Sequence, residues 1–287
     1  MPRRLYHGLT TRSPLALSLA VNEEALIEIH NATVWRGSTR VFHKFSLTIQ
    51  QHERVAVLGP NGSGKSTLLK TINRELYPVA SEDSWIRILG RDRWNVWDLR
   101  QHIGIVSPDL QSGFTPNSTV LDAIVSGFFS SIGVHRQLRD QIEPAQLRRA
   151  VAVMQSLGLE ALRDREYQTL STGQRRRCLL GRALVHDPHT LILDEPTYGL
   201  DMSASFDFLH RIRDLARRGR SLVLVTHHLN DIPPEIERVI VLKRGQIVAD
   251  GPKASVLTGP LLSEVYETDL CLTEIEGHYF AYPGAGS

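Results

Sequence analysis

One run of nine residues, Gly59-Pro60-Asn61-Gly62-Ser63-Gly64-Lys65-Ser66-Thr67, narrows the possible folds of this 287-residue chain more than any other feature. It satisfies G-x-x-x-x-G-K-[ST], the spacing of a phosphate-binding loop. Context decides whether such a match is a site. Arg54-Val55-Ala56-Val57-Leu58 before it is short, apolar and β-branched, which predicts a buried strand. Ser66-Thr67-Leu68-Leu69-Lys70-Thr71-Ile72 after it predicts the first turns of a helix. Between a strand and a helix, the glycines let the backbone curl into a nest of N–H donors, and the helix N-terminus adds positive dipole. Lys65 then supplies a mobile cation and Ser66 a hydroxyl for Mg²⁺. A glycine-rich turn with a chance Lys-Ser is the bland alternative, and the flanking pattern argues against it. The expected ligand is a nucleoside triphosphate.

The rest of the chain supports an α/β fold. Leu26–Ile29 and Phe45–Ile49 alternate apolar with polar residues, as half-buried antiparallel strands do. Short apolar runs follow at Trp85–Leu89, Ile103–Val106, Thr190–Leu193 and Ser221–Val225. The last two are continuously apolar, the pattern of parallel strands buried on both faces. Val239–Leu242 and Gln246–Ala249 flank the turn Lys243-Arg244-Gly245. Between Thr119 and Glu166 the period changes to helical, with Val120, Ile124 and Val125, then Leu147, Val151, Met154 and Leu157, on apolar faces. Arg148 and Arg149 fall on the opposite, solvated face. The expected organisation is an extension over 1–24, an α/β domain over 25–258 with a helical subdomain inserted at about 110–168, and a tail over 259–287, with weak strand signals in its last twenty residues and a frayed Ala-Tyr-Pro-Gly-Ala-Gly-Ser end.

Composition excludes several classes. A net charge of +2 makes no global demand for nucleic acid or an anionic membrane. The two cysteines, Cys178 and Cys271, are too far apart in sequence to indicate a disulfide framework or metal cluster. No apolar stretch approaches the ~20 residues of a membrane-spanning helix. Residues 1–24 carry Arg3, Arg4 and Arg12 and no acid before Glu23, a composition that fits an import signal or, more simply, a disordered tail.

A second cluster stands at Leu191-Ile192-Leu193-Asp194-Glu195-Pro196-Thr197. A buried strand here ends in adjacent carboxylates, at the edge where a parallel sheet presents its ligands. Asp194 can hold Mg²⁺ beside the Ser66 hydroxyl, and Glu195 can orient and deprotonate an attacking water. Read alone, the pair is also a plausible acidic helix cap before Pro196.

The third is Leu170-Ser171-Thr172-Gly173-Gln174, followed by three arginines, 175–177. With it, the chain over about 26–258 resembles the ATP-binding subunit of an ABC transporter, whose signature reads Leu-Ser-Gly-Gly-Gln. The resemblance implies a P-loop NTPase core with a parallel central sheet, an N-terminal antiparallel β subdomain and an inserted helical subdomain. It also implies that Ser171, Thr172, Gly173 and Gln174 cap the γ-phosphate held by a second subunit. Trp35 lies where the family stacks an aromatic on adenine, with a core tryptophan as the plain alternative. Asp201, after Gly199 and Leu200, matches the loop that runs along the partner, and His227 matches the γ-phosphate-sensing histidine. The arginine run reads as a solvated helix face, with nucleic-acid contact the weaker alternative.

Two departures stand out. The family carries a glutamine after the strand that corresponds to Ile103–Val106, where this chain has Ser107-Pro108. Gln111 is the nearest substitute for its role at Mg²⁺. Thr172 replaces a glycine and is tolerated if its φ is negative. The resemblance thus implies an ATPase using ATP and Mg²⁺ that forms a homodimer or pseudo-dimer. It would act at the cytoplasmic face of a membrane, with integral permease subunits, a possible solute-binding protein and no nucleic acid. Molybdate, iron-complex and cobalamin importers are the nearest branches. The alternative is a soluble ATPase of the same class acting in DNA repair, translation or gene expression.

Overall fold

A computed structural model describes residues 25–111, 113–114, 117–131, 133 and 139–284. The extension over 1–24 lies outside the described residues.

The central sheet contains β3 (Arg54–Leu58), β5 (Ile103–Val106), β6 (Thr190–Asp194), β7 (Ser221–Thr226), β8 (Arg238–Lys243) and β9 (Gln246–Pro252), in the order β5-β6-β7-β3-β8-β9. All neighbours are parallel except β8 and β9. The period of two along each strand sorts side chains between two cores. Val55, Val57, Ile192, Val223 and Val225 face one side, and Ala56, Leu58, Leu191, Leu193 and Leu224 face the other. Both faces are covered, which is why these strands read as unbroken apolar runs.

The first core is closed by an antiparallel sheet of β1 (Ala25–Arg36), β2 (Thr39–Gln50) and β4 (Trp85–Ile88), in the order β2-β1-β4. It also takes Leu68 and Ile72 from α1 (Lys65–Ile72) and Leu99 from α2 (Val96–His102). The second core holds the inserted helices: α3 (Pro108–Gln111), α4 (Val120–Val125) and α5 (Pro144–Ser156), packed against α6 (Thr172–Leu184). A capping box between Thr119 and Asp122 starts α4, and α5 opens with Pro144 in its first turn.

Three expectations change here. The deeply buried face of α5 is Ala150, Val153 and Met154, continuing to Leu157; Leu147 and Val151 are half-buried. Arg149 is not on a free face. It donates to the Leu184 and Val185 carbonyls at 3.3 and 3.4 Å and pairs with Asp187 at 3.0 Å, so it caps the C-terminus of α6. The end of the tail keeps its strand through Ala281, Tyr282 and Pro283, where the sequence predicts fraying, and the weak strand signals before it belong to a hairpin. After α7 (Met202–Arg217) and α8 (Lys253–Val256) the chain forms α9 (Gly259–Tyr266) and a hairpin of β10 (Leu270–Ile275) with β11 (His278–Pro283). Leu262 and Val265 enter the second core, so α9 is held by burial that a weakly periodic sequence does not advertise.

Candidate functional site

The phosphate-binding loop links β3 to α1, as expected, and its glycines have separate reasons. Gly62 and Gly64 sit at φ +80° and +111°, where an L-residue is strained. At Gly59 an added Cβ would lie 2.2 Å from the Leu242 carbonyl oxygen, so β8 leaves room only for glycine. The Arg244-Gly245 turn of the β8–β9 hairpin braces the loop, with the Gly245 N–H donating to the Ser63 carbonyl at 2.8 Å.

A cleft of about 850 Å³ opens over this loop. Its lining joins Asn61, Gly62, Gly64, Lys65, Ser66 and Thr67 to Asp194, Glu195 and His227. Residues 127 to 166 positions apart in sequence thus meet at the C-terminal ends of β3, β6 and β7, as in other open parallel sheets. The buried Lys65 ammonium donates to the Gly59 and Pro60 carbonyls at 2.6 and 3.1 Å. Burial lowers its pKa, opposed by Glu195 and Asp194. Burial, with Glu195 and Asp109 as added negative charges, pushes the Asp194 carboxyl up to about 6.

Glu195 adopts φ +45°, an uncommon conformation for a glutamate. Its N–H donates to the Val225 carbonyl at 2.8 Å, which clips β6 to β7. The His227 Nδ1–H donates to Glu195 Oε1 at 2.7 Å, so the imidazole and the carboxylate orient each other. From the opposite side, the Tyr266 hydroxyl of α9 donates to the His227 carbonyl at 3.2 Å. The His228 ring lies tilted at 40° to that of His227, with ring centres 3.8 Å apart.

Mg²⁺ suits this donor set. Glu195 and Asp109 both act as negative charges on the Asp194 carboxyl in a partly buried space, and a dication is the charge that would neutralise them. Among the described residues no group of three or more His, Cys, Asp or Glu could hold a metal unaided. That agrees with Mg²⁺, which typically takes one or two protein oxygens and completes its shell with water and phosphate. Ser66 and Asp194 would hold it, and once bound it would screen phosphate charge.

Other residues named from the sequence lie outside the cleft lining. Trp35, next to last in β1, is 45% exposed, so it is not a core tryptophan; its neighbours Arg36, Thr39 and Val41 line the cleft instead. Ser171, Thr172, Gly173 and Gln174 open α6, where Ser171 and Gln174 form a capping box. The Ser171 oxygen accepts the Gln174 N–H, which leaves its own proton available to a ligand. Thr172 has no positive φ, so its Cβ carries no backbone strain. Gly173 is needed within the chain, since a Cβ there would meet the Ala204 Cβ at 2.9 Å. Asp201 caps α7, accepting from the Ala204 N–H at 2.8 Å.

The arginine run is not a solvated face. Arg176 is fully buried and donates to the Tyr198 carbonyl at 3.0 Å. Arg175 donates to the Gln168 carbonyl, and Arg177 to the Leu157 carbonyl at 3.3 Å. All three guanidiniums are engaged inside the chain.

Gln111 is half-buried at the end of α3 and is not part of the lining, whereas Ser107, Pro108, Asp109 and Leu110 are. Asp109 was legible as an acid two residues before Gln111, but no spacing rule singled it out. Asp109→Asn is expected to raise the Mg²⁺ concentration for half-maximal hydrolysis by about tenfold, the effect of removing one nearby charge. Gln111→Ala is expected to leave that titration unchanged and to alter only partner-stimulated hydrolysis. A Mg²⁺ titration of both variants checks this.

The family model described as ABC transporter matches residues 42–198, more than half of the chain. This chain belongs to the ABC transporter ATP-binding family. The hemin import ATP-binding protein HmuV of Rhodopseudomonas palustris is 31% identical over 277 residues, covering 90% of this chain and 97% of the relative. The ABC transporter ATP-binding protein YlmA of Bacillus subtilis is 30% identical over 250 residues, covering 85% and 92%. A nucleotide-free ATP-binding cassette from an ABC transporter superposes with a TM-score of 0.70 at 24% identity, over 84% of this chain and 98% of that one, which bears on fold alone. The chain is an ABC-type ATPase, the ATP-binding subunit of an ABC transporter. Cassettes of this family dimerise and work with membrane permease subunits. Among the described residues no helix is long and apolar enough to cross a membrane.

Proposed function

We propose that two copies of this chain, or this chain and a close relative, close around two MgATP and use hydrolysis to drive an importer from the cytoplasmic face of a membrane. The cargo class we infer is a metal-containing or oxyanion solute. The observation that carries the dimer is the separation of two half-sites. The loop, Asp194, Glu195 and His227 share one cleft, while the signature at Ser171 is exposed and absent from its lining. A second chain, inverted, would bring its signature over the first chain's loop. Exposed apolar side chains beside Asp201 support a buried contact there: Tyr198 at 61%, Met202 at 75% and Phe206 at 59%. Similarity to a hemin import protein supports the import direction and the cargo class.

In this reading Lys65 and the loop N–H groups hold the phosphates, Ser66 and Asp194 take Mg²⁺, and Trp35 stacks on adenine. Glu195 accepts a proton from water as the water oxygen bonds to the γ-phosphorus, and the bond from that phosphorus to the β–γ bridging oxygen breaks, so that oxygen leaves with ADP. His227 and the Ser171 of a second copy complete the enclosure.

Glu195→Gln, which should bind ATP without turning it over, is expected to shift from monomer to dimer with MgATP and to stay monomeric with MgADP. The γ-phosphate supplies the differential affinity for the closed state. Light scattering at one protein concentration checks this. An unchanged monomer mass under both nucleotides would overturn the proposal.

A further inference from the structure

Asp231 has no part in the chemistry above, yet it is 3% exposed and lies against the catalytic pair. It closes the turn after His228, and each of its oxygens is committed. Oδ1 accepts from the Thr197 hydroxyl, and Oδ2 accepts from the Thr226 hydroxyl at 2.6 Å. Thr197 follows Glu195 by two positions, and Thr226 immediately precedes His227.

The Thr226 hydroxyl has a second possible acceptor. Its oxygen stands 3.3 Å from Glu195 Oε2, and it accepts the His228 N–H at 3.0 Å. A threonine hydroxyl carries a single proton, so it cannot serve both carboxylates. The shorter, charge-assisted contact is to Asp231. Glu195 Oε1 already receives the His227 N–H, so Oε2 is the oxygen left to accept a proton from water. A hydrogen bond donated to Oε2 by Thr226 would occupy it and make it a poorer acceptor.

We propose that Asp231 is a positioning residue that draws the Thr226 proton away from Glu195 and so keeps Oε2 open as the proton acceptor in hydrolysis. The idea rests on the reading of Glu195 as general base. Asp231 touches neither substrate nor metal in this account; it acts only through Thr226.

The discriminating substitution is Asp231→Asn. It preserves shape but turns one acceptor into an N–H donor, which releases the Thr226 proton towards Glu195. In the full chain, kcat for MgATP hydrolysis is expected to fall about tenfold, a fraction of what a general base contributes, with KM for ATP unchanged. Adding Thr226→Val removes the competing proton, so the double variant is expected to regain the rate of Thr226→Val alone. A role of Asp231 that does not run through Thr226 predicts the reverse, with the two losses adding. Asp231→Glu, which keeps a carboxylate, is expected to retain more activity than Asp231→Asn. Thermal melts confirm that each variant is folded. If Asp231→Asn alone does not fold, the double variant and Thr226→Val are compared directly, with an expected kcat ratio of about one. Wild-type kcat in Asp231→Asn, or a double variant much slower than Thr226→Val, would overturn the proposal. Glu195→Gln measured alongside separates the two ideas. If it hydrolyses ATP normally, the general-base reading has failed; if it is inactive while Asp231→Asn is normal, only the role of Asp231 has.

Discussion

Glu195→Gln is expected to lose about 10²–10⁴-fold in ATP turnover while retaining ATP binding, the span general bases typically contribute. The substitution keeps the volume and one oxygen, so the φ of +45° and the clip to Val225, both backbone features, need not change. It replaces one carboxylate oxygen by an N–H₂ group that cannot accept a proton from water. The His227 N–H can still bond the remaining oxygen, which preserves the 2.7 Å pairing. Measured as single-turnover hydrolysis beside fluorescent-nucleotide binding, a loss in rate without a loss in affinity identifies the base. Near-normal turnover would remove Glu195 from the mechanism.

Lys65→Ala should fail differently. The ammonium is buried, bonded to two loop carbonyls, and lines the cleft within the phosphate-binding loop itself. Its removal strips positive charge from the site while leaving Asp194, Glu195 and Asp109 in place, so ATP would meet those carboxylates with one cation fewer in the lining. Hydrolysis is expected to fall by about 10²–10³-fold, comparable to deleting a key oxyanion donor, and ATP affinity should fall with it. Lys65→Arg is not expected to rescue. A planar guanidinium cannot reproduce a point charge seated between the Gly59 and Pro60 carbonyls. Equilibrium binding of both variants separates loss of affinity from loss of rate. An Ala variant that binds ATP as tightly as the parent chain would show that the loop N–H groups suffice.

Much of this molecule was legible from local pattern. The loop at 59–67, the acidic strand end at Asp194-Glu195 and the signature at 170–174 are short and contiguous, and their chemistry is carried by residue type and spacing. The strands were legible for the same reason: burial on both faces leaves no polar position in Leu191–Leu193 or Leu222–Val225. Long-range electrostatic partners were not. Three consecutive arginines read as a solvated face, and only the packing of α6 against Tyr198 shows that Arg176 is enclosed. Arg149 read likewise until the end of α6 was placed beside it.

The sequence alone therefore determined the fold class, the phosphate-binding loop and the pair of carboxylates, because each is a contiguous stretch whose spacing maps directly onto a strand end or a helix start. Tertiary structure alone decided which isolated polar residues join them. Asp109 rather than Gln111 faces the cleft, Tyr266 of the C-terminal helix reaches the His227 carbonyl, and Asp231 takes the Thr226 hydroxyl. Those contacts bridge elements far apart in the chain or turn on the direction of a single side chain. Hydrogen bonds act over about 3 Å, so a partner exists only once packing has brought two groups that close.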